Sequence, residues 1–295
     1  RMHACGHDTH TAMLLGAAKL LKQHEGELNG LAILMFQPGE EVLAGAKAMV
    51  DAGALQDPKP DGAMALHIAS SPLKTGQIAM GYGPCAASSD CYKITLHGKG
   101  GHGSAPQDSI NPIFCACKII EAFTDIARFE IDPQQPSVVN TCSIHSGTIY
   151  NIIPEDCEIM GTVRMFNEEQ RARVLGRMQE AVEKIASLYR CTAQWSLDLS
   201  VPCTISDETF SQQLHDLLVR DLDGVEVLPL SHQKMMGSED FAWVSQNVPS
   251  CAMQVGSTAP QGQDYPAHHP KVVFDENCFP YGTATYVQAA LSFLK

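Results

Sequence analysis

The chain reads as an α/β protein: an α/β domain with helices on both faces of a mostly parallel sheet, interrupted by an inserted α+β unit. Three observations predict this. Short continuous apolar runs at residues 31–36 and 63–66 alternate with helical patterns at 11–21 and 42–52, the rhythm of strands buried on both faces and joined by helices. From about Asp90 the strand-like stretches alternate apolar with polar, as antiparallel strands with one covered face do. After Pro202 the first rhythm resumes. The boundaries that follow are 1–88 for the first part of the α/β domain, 89–202 for the insert and 203–295 for the second part. A length of 295 residues suits two domains at about 100 to 200 residues each.

Taken in order, the first helix covers residues 11–21 and ends near Gln23, with Asp8 or Thr9 available as its cap. The run LAILMF at 31–36 is expected to be a buried parallel strand, stopped by Gln37-Pro38-Gly39. A helix over 42–52 closes at Gly53, and the buried strand 63–66 delivers His67 to its end. In such sheets ligands gather beyond the carboxyl ends of the strands. In the insert, residues 91–97 and 138–144 alternate, and 157–166 alternates in part. Helical patterns at 110–129 and 168–189 interleave with these strands, making an α+β unit of ~110 residues with two helices on one side of its sheet. Asp207 then heads a helix, 225–228 forms a strand, 239–245 a short helix, 251–255 a strand, and a last helix runs to Leu294. There is no internal repeat and no low-complexity stretch.

Lys and Arg total 20 against 33 Asp and Glu, a net charge of −13 that repels phosphate backbones and anionic membranes. Neither nucleic acid nor a membrane is an expected partner. No run of ~18 apolar residues occurs and no basic stretch leads into an apolar signal region, so the protein is expected to be soluble. Eleven cysteines without framework spacing read as reduced thiols of a cytoplasmic protein, with Cys115 and Cys117 as core packing. The chain opens on Arg1, directly inside its densest motif, and the expectation is that the natural protein has a further N-terminal part.

That motif, His3-Ala4-Cys5-Gly6-His7-Asp8-Thr9-His10, packs a thiol, three imidazoles and a carboxylate into eight positions. Cys5 and His7 lie two apart around a glycine, so both can reach one cation. A helix cap needs one oxygen and accounts for neither the thiol nor His7. For His3 and His10 a structural and a functional role stand equally open. Gln37-Pro38-Gly39-Glu40-Glu41 sets two carboxylates side by side past a strand end. Such neighbours repel unless a cation lies between them, and adjacent side chains diverge, so one can ligate while the other faces water. His67 at its strand end, and either His268 or His269 in a loop, are further candidates. Residues 98–104, GKGGHGS, lack phosphate-loop spacing and instead present His102 on exposed backbone, free to donate a hydrogen bond.

Met2-His3-Ala4-Cys5-Gly6-His7-Asp8, Phe36-Gln37-Pro38-Gly39-Glu40-Glu41, residues 98–106, Asn151-Ile152-Ile153-Pro154, Gly161-Thr162-Val163-Arg164, Gly237-Ser238-Glu239-Asp240-Phe241 and His268-His269-Pro270 stand in one order over nearly the whole chain. In this the chain resembles the hippurate hydrolase and N-acyl-amino-acid amidohydrolase family, which includes plant auxin-conjugate hydrolases and sits with the aminoacylase and carboxypeptidase-like metallopeptidases. The resemblance implies a two-metal amidohydrolase, with Zn or Mn in a catalytic α/β domain and an inserted lid domain that forms a homodimer. It implies Cys5, His7, Glu41, His67 and His268 as metal ligands and Glu40 as general base. His102 resembles the lid histidine that holds the oxyanion, often in the partner subunit's site; its delivery by lid closure or by a second subunit demands flexible hinges near 86–90 and 201–202. Asn151 and Arg164 resemble the residues that grip a small N-acyl amino acid. The family also has an upstream Arg-Ala-Asp-Met-Asp-like stretch without a counterpart here. Alternative readings on the same scaffold are a dipeptidase, an N-acetyl-diaminopimelate deacetylase and a non-catalytic metal-binding protein.

Overall fold

The computed structural model describes residues 2–70, 72–259, 261 and 263–295. In chain order its elements are α1 (His7–Gln23), α2 (Gly45–Asp51), β1 (Ala63–Ala69), β2 (Gln77–Met80), β3 (Gly83–Ala86), β4 (Ser89–His97), β5 (Gly101–His102) and α3 (Pro112–Phe129). There follow β6 (Ser137–Ser146), β7 (Ile152–Ile153), β8 (Asp156–Met165), α4 (Glu168–Leu188), β9 (Thr192–Val201), β10 (Thr204–Ser206), α5 (Glu208–Asp221), β11 (Glu226–Val227), α6 (Ala242–Ser245), β12 (Ser250–Gly256) and α7 (Phe279–Phe293). The chain divides into two compact units. The first comprises Arg1–Cys85, Thr204–Lys234 and Asp240–Lys295, and the second Ala86–Cys203 and Met235–Glu239. Among the described residues no helix is long and apolar enough to cross a membrane.

The first unit is a mixed α/β structure around a sheet of order β1-β12-β2-β11. β1 and β12 run parallel with His67 opposite Gln254, β2 is antiparallel to β12, and β11 is parallel to β2. Its core joins Met13 and Ala17 of α1 to Leu66, Ile68, Ile78, Met80, Met253 and Val255 of the sheet and to Leu214 and Leu218 of α5. Asp207 starts α5 by accepting the Phe210 amide at 2.7 Å. β1 has one strand neighbour, β12, and its other edge is met by side chains: Leu66 N–H donates to the Tyr286 hydroxyl and Ile68 N–H to His10 Nε2, both at 2.9 Å.

The second unit carries an antiparallel sheet of order β6-β8-β4-β9, with α3 and α4 packed on it. Along β4 the residues Tyr92, Ile94 and Leu96 are buried, and they share one core with the stripe Val174, Met178, Val182 and Ala186 of α4, spaced by four as one helix face requires. Asn111 and Asn167 cap the two helices by accepting the Ile113 and Gln170 amides. Gly161 is needed beside Tyr92, since a Cβ there would lie 2.3 Å from the Tyr92 hydroxyl oxygen and 2.2 Å from the Asn140 carbonyl oxygen.

Four readings from the sequence are corrected here. Residues 31–36 form no strand, and Leu31, Ile33 and Phe36 are exposed. Apolarity alone does not make a strand; a ladder partner is required, and among the described residues none pairs with this stretch. The helix expected from 42 begins at Gly45, because residues Glu40–Val42 form a 3₁₀ turn closed by Leu43 at φ 53°. His67 lies within β1 rather than past its end, since Ile68 and Ala69 continue the ladder to Val255 and Gly256. Cys117 is exposed although Cys115 is buried, as positions two apart on a helix must face differently. β9 was not read from the sequence at all, although Ala193, Trp195, Leu197, Leu199 and Val201 alternate strictly with other residues. None of the eleven cysteines is in a disulfide.

Candidate metal centre

Three loops and a strand of the first unit converge. Gly6, at φ 85°, turns the chain sharply between Cys5 and His7, the first residue of α1. Only glycine serves there: the left-handed backbone disfavours a side chain, and a Cβ would meet the Ile68 side chain at 2.5 Å. No side chain caps α1; Thr9 instead donates its hydroxyl to the Gly6 carbonyl at 2.6 Å, so neither Asp8 nor Thr9 plays the cap. Gly39, at φ 67°, opens the turn that carries Glu40 and Glu41. His268, itself left-handed at φ 69°, is tied by its N–H to the Ala4 carbonyl at 2.7 Å.

Cys5 Sγ stands 3.4 Å from His67 Nε2, His7 Nε2 3.4 Å from a Glu40 oxygen, His7 Nδ1 3.8 Å from a Glu41 oxygen and His268 Nε2 3.6 Å from that Glu41 oxygen. Three overlapping groupings result, each with ligand atoms within 4.8 Å of one another: Cys5, His7 and His67; Cys5, Glu41 and His268; His7, Glu40 and Glu41. Donors that share a zinc ion at about 2.0 to 2.3 Å are spaced in this way.

The residues fit a cation on two further counts. His7 Nε2 is buried without a hydrogen-bond partner, an orphan that a metal would satisfy. Burial also lowers the pKa of His7 and His67, which keeps both rings neutral, as ligation demands. His67 Nδ1 meets the Ile68 carbonyl at 2.5 Å; it therefore donates, leaving the Nε2 lone pair directed at Cys5.

Two participants lacked a role in the sequence reading. Asp240 is fully buried and accepts from Gln37 Nε2 at 2.5 Å and from the Ala46 amide at 2.9 Å, fastening the Glu40–Glu41 turn to α2. Burial raises its carboxyl pKa. A carboxylate inside Gly237-Ser238-Glu239-Asp240-Phe241 was the available signal. His10 packs edge-on to His67 with ring centroids 4.3 Å apart, and burial, with His67 and His7 adding to it, holds its pKa down to about 2.

The remaining candidates belong to the second unit. His102 lies in β5, paired with Ile152, and its Nδ1 accepts from the Ser104 amide at 3.2 Å and faces the Ser104 hydroxyl at 2.7 Å. Accepting at Nδ1 assigns the proton to Nε2, an exposed donor. Asn151 is brought beside it, its carbonyl accepting the Gly103 amide at 2.8 Å. Arg164 on β8 donates from Nη1 to Ser238 Oγ at 2.8 Å and to the Met236 carbonyl at 3.3 Å.

Comparison with known proteins agrees with this chemistry. Residues 1–292 match the model of peptidase family M20/M25/M40. Thermostable carboxypeptidase 2 of Saccharolobus solfataricus is 38% identical over 296 residues, 99% of this chain and 73% of that protein. IAA-amino acid hydrolase ILR1-like 4 of Arabidopsis thaliana is 35% identical over 304 residues, 100% of this chain and 67% of that protein. The crystal structure of Bacillus subtilis YxeP, a dinuclear metal binding peptidase, superposes with a TM-score of 0.80 at 30% identity, covering 99% of this chain and 73% of that one. With its cysteine, histidines and paired glutamates gathered within one unit, the chain belongs to peptidase family M20/M25/M40, metal-dependent hydrolases that act on amide bonds.

Proposed function

We propose that the protein hydrolyses the amide bond of N-acyl amino acids, with two divalent ions, Zn or Mn, held by Cys5, His7, Glu41, His67 and His268. The observation that carries the reading is the pair Glu40 and Glu41: both carboxylates reach the His7 ring, and only Glu41 also groups with Cys5 and His268. A metal store has no need of a second carboxylate beside its ligands.

Bound there, the ions supply Lewis acidity for the amide carbonyl and lower the pKa of a water toward neutrality. Glu40 takes the proton of the attacking water and passes it to the leaving amine nitrogen. The Nε2–H of His102 is the donor for the developing oxyanion, a role worth roughly 3 kcal/mol in comparable sites. Arg164 receives the free carboxylate of the amino acid in a bidentate fork, and Asn151 holds the amide in place. Both routes of delivery for His102, lid closure within one chain and supply by a partner in a homodimer, agree with its place in a separate unit.

A peptidase reading has support of its own in the carboxypeptidase relative. The two substrate classes share an amide whose nitrogen side bears a free carboxylate, so Arg164 serves either. Purified protein supplied with zinc or manganese and offered hippurate, N-acetyl amino acids and dipeptides separates them. Glu40→Gln should keep metal and lower turnover by at least ~100-fold, whereas Glu41→Gln should lose metal. Identical behaviour of the two variants refutes the division of labour.

A further inference from the structure

His10 packs against the centre's histidines but has no task in the proposed chemistry. Its ring lies 4.3 Å from His67 and 5.3 Å from His7 between centroids, closer to His67 than His7 is at 5.7 Å. Yet it enters none of the groupings of ligand atoms. The reason is local: His10 Nε2 accepts the Ile68 backbone N–H at 2.9 Å, and a ring nitrogen that accepts a hydrogen bond has no lone pair left for a cation.

That N–H belongs to the peptide joining His67 to Ile68. The carbonyl of the same Ile68 receives the Nδ1–H of His67 at 2.5 Å. Ile68 is therefore gripped on both sides, by His10 at its amide and by His67 at its carbonyl. Because β1 pairs with no strand on this edge among the described residues, the Ile68 N–H is held by the His10 side chain, where a sheet would ordinarily supply a carbonyl. Displacement of Ile68 from this edge would carry its carbonyl away from Nδ1 and swing Nε2 off its 3.4 Å approach to Cys5 Sγ.

We propose that His10 is a positioning residue of the metal centre: it holds Ile68 by its amide on the open edge of β1, keeps the Ile68 carbonyl at the His67 Nδ1–H, and so aims His67 Nε2 at the cation. The inference rests on the reading of His67 as a ligand. Its nature is that of an outer partner orienting an inner one, a relation whose loss typically weakens metal affinity by about 10- to 100-fold.

The test compares zinc affinity, by competition with a chromophoric chelator, in the parent chain and in His10→Phe, His10→Asn, His10→Gln and His67→Ala, with the melting of each metal-free chain recorded alongside. Phenylalanine keeps the ring and removes the acceptor, asparagine keeps polarity and withdraws the acceptor, and glutamine returns an oxygen to the reach of Nε2. The expected result is a zinc Kd raised about 10- to 100-fold in the phenylalanine and asparagine variants at unchanged stoichiometry, with glutamine recovering most of the loss. Should phenylalanine prevent folding, the asparagine and glutamine pair carries the comparison. Parent-like zinc binding in His10→Phe and His10→Asn, whatever their melting, overturns the proposal while His67→Ala still loses zinc. A saturating count lowered by one ion in all three His10 variants makes His10 a ligand and also overturns it. Parent-like binding in His67→Ala overturns the metal reading itself.

Discussion

Replacing Arg171 by leucine tests how far the second unit depends on one buried ion pair. Asp90 is fully buried at the start of β4. Arg171 grips it with both arms, Nε at 2.7 Å from Oδ2 and Nη2 at 2.8 Å from Oδ1, while the Ser200 hydroxyl donates to Oδ1 at 2.7 Å. The third arm reaches Glu168 at 2.5 Å, whose other oxygen accepts the Cys203 amide at 2.7 Å. Burial pulls the Arg171 pKa down, but the Asp90 and Glu168 carboxylates outweigh it and hold the guanidinium above the ordinary arginine value. Arg171→Leu strands Asp90 with one hydroxyl for a partner, and removing one half of a buried pair costs ~3 to 5 kcal/mol. Against a typical domain stability of ~5 to 15 kcal/mol, that is a large share. The assay is urea unfolding followed by Trp195, which stacks on Tyr92 at 5.6 Å in this unit, in a Trp243→Phe background that silences the other indole. Asp90→Asn combined with Arg171→Leu should regain part of the loss, since no bare charge remains. A penalty below ~1 kcal/mol, the scale of an exposed pair, or a double variant weaker than the single one, would refute the reasoning.

Two further outcomes are expected. In the metal-free chain burial holds His7, His10 and His67 below the ordinary imidazole range, His10 down to about 2, so the unfolded chain binds protons that the folded chain refuses. The penalty is negligible above pH ~6.5 and grows as pH falls, with His10 alone removing about 2 kcal/mol between pH 7 and 5; a urea midpoint that stays flat over that interval contradicts it. If a partner subunit supplies the His102 donor, mixing inactive His102→Ala with inactive Glu40→Gln should restore measurable turnover. Monomers by light scattering with no regained activity would rule that arrangement out.

The dense motif around Cys5 and His7 was legible because its donors are adjacent in sequence, and the turn at Gly39 announced two carboxylates without any fold. What pattern reading lacked was the three-dimensional company of each group. Asp240 lies some two hundred positions from Gln37 and Ala46, so no periodicity could reveal that it braces their loop. His10 looks the same in sequence whether it binds a cation or a backbone amide, and only the approach of Ile68 decides. Alternation made β4 and β6 readable, because one covered face imposes it, whereas the equally strict alternation of β9 was passed over. Strand reading failed at 31–36, where hydrophobicity spoke for burial and the missing ladder partner spoke against it. That His268 stands beside Glu41 was likewise illegible before the Ala4 tether placed its ring there.

The uncovered stretch 31–36 has a consequence for handling the chain in solution. LAILMF is six apolar residues without charge, proline or glycine, and it shows Leu31, Ile33 and Phe36 to water. An exposed apolar stretch of that kind favours association between copies, which rises with concentration. β1 of the same unit runs no such hazard at Leu66 and Ile68, whose amides Tyr286 and His10 already occupy. Self-association is therefore expected to start at this hexapeptide and not at the edge of β1, and Ile33→Lys should lower it in light scattering at high concentration.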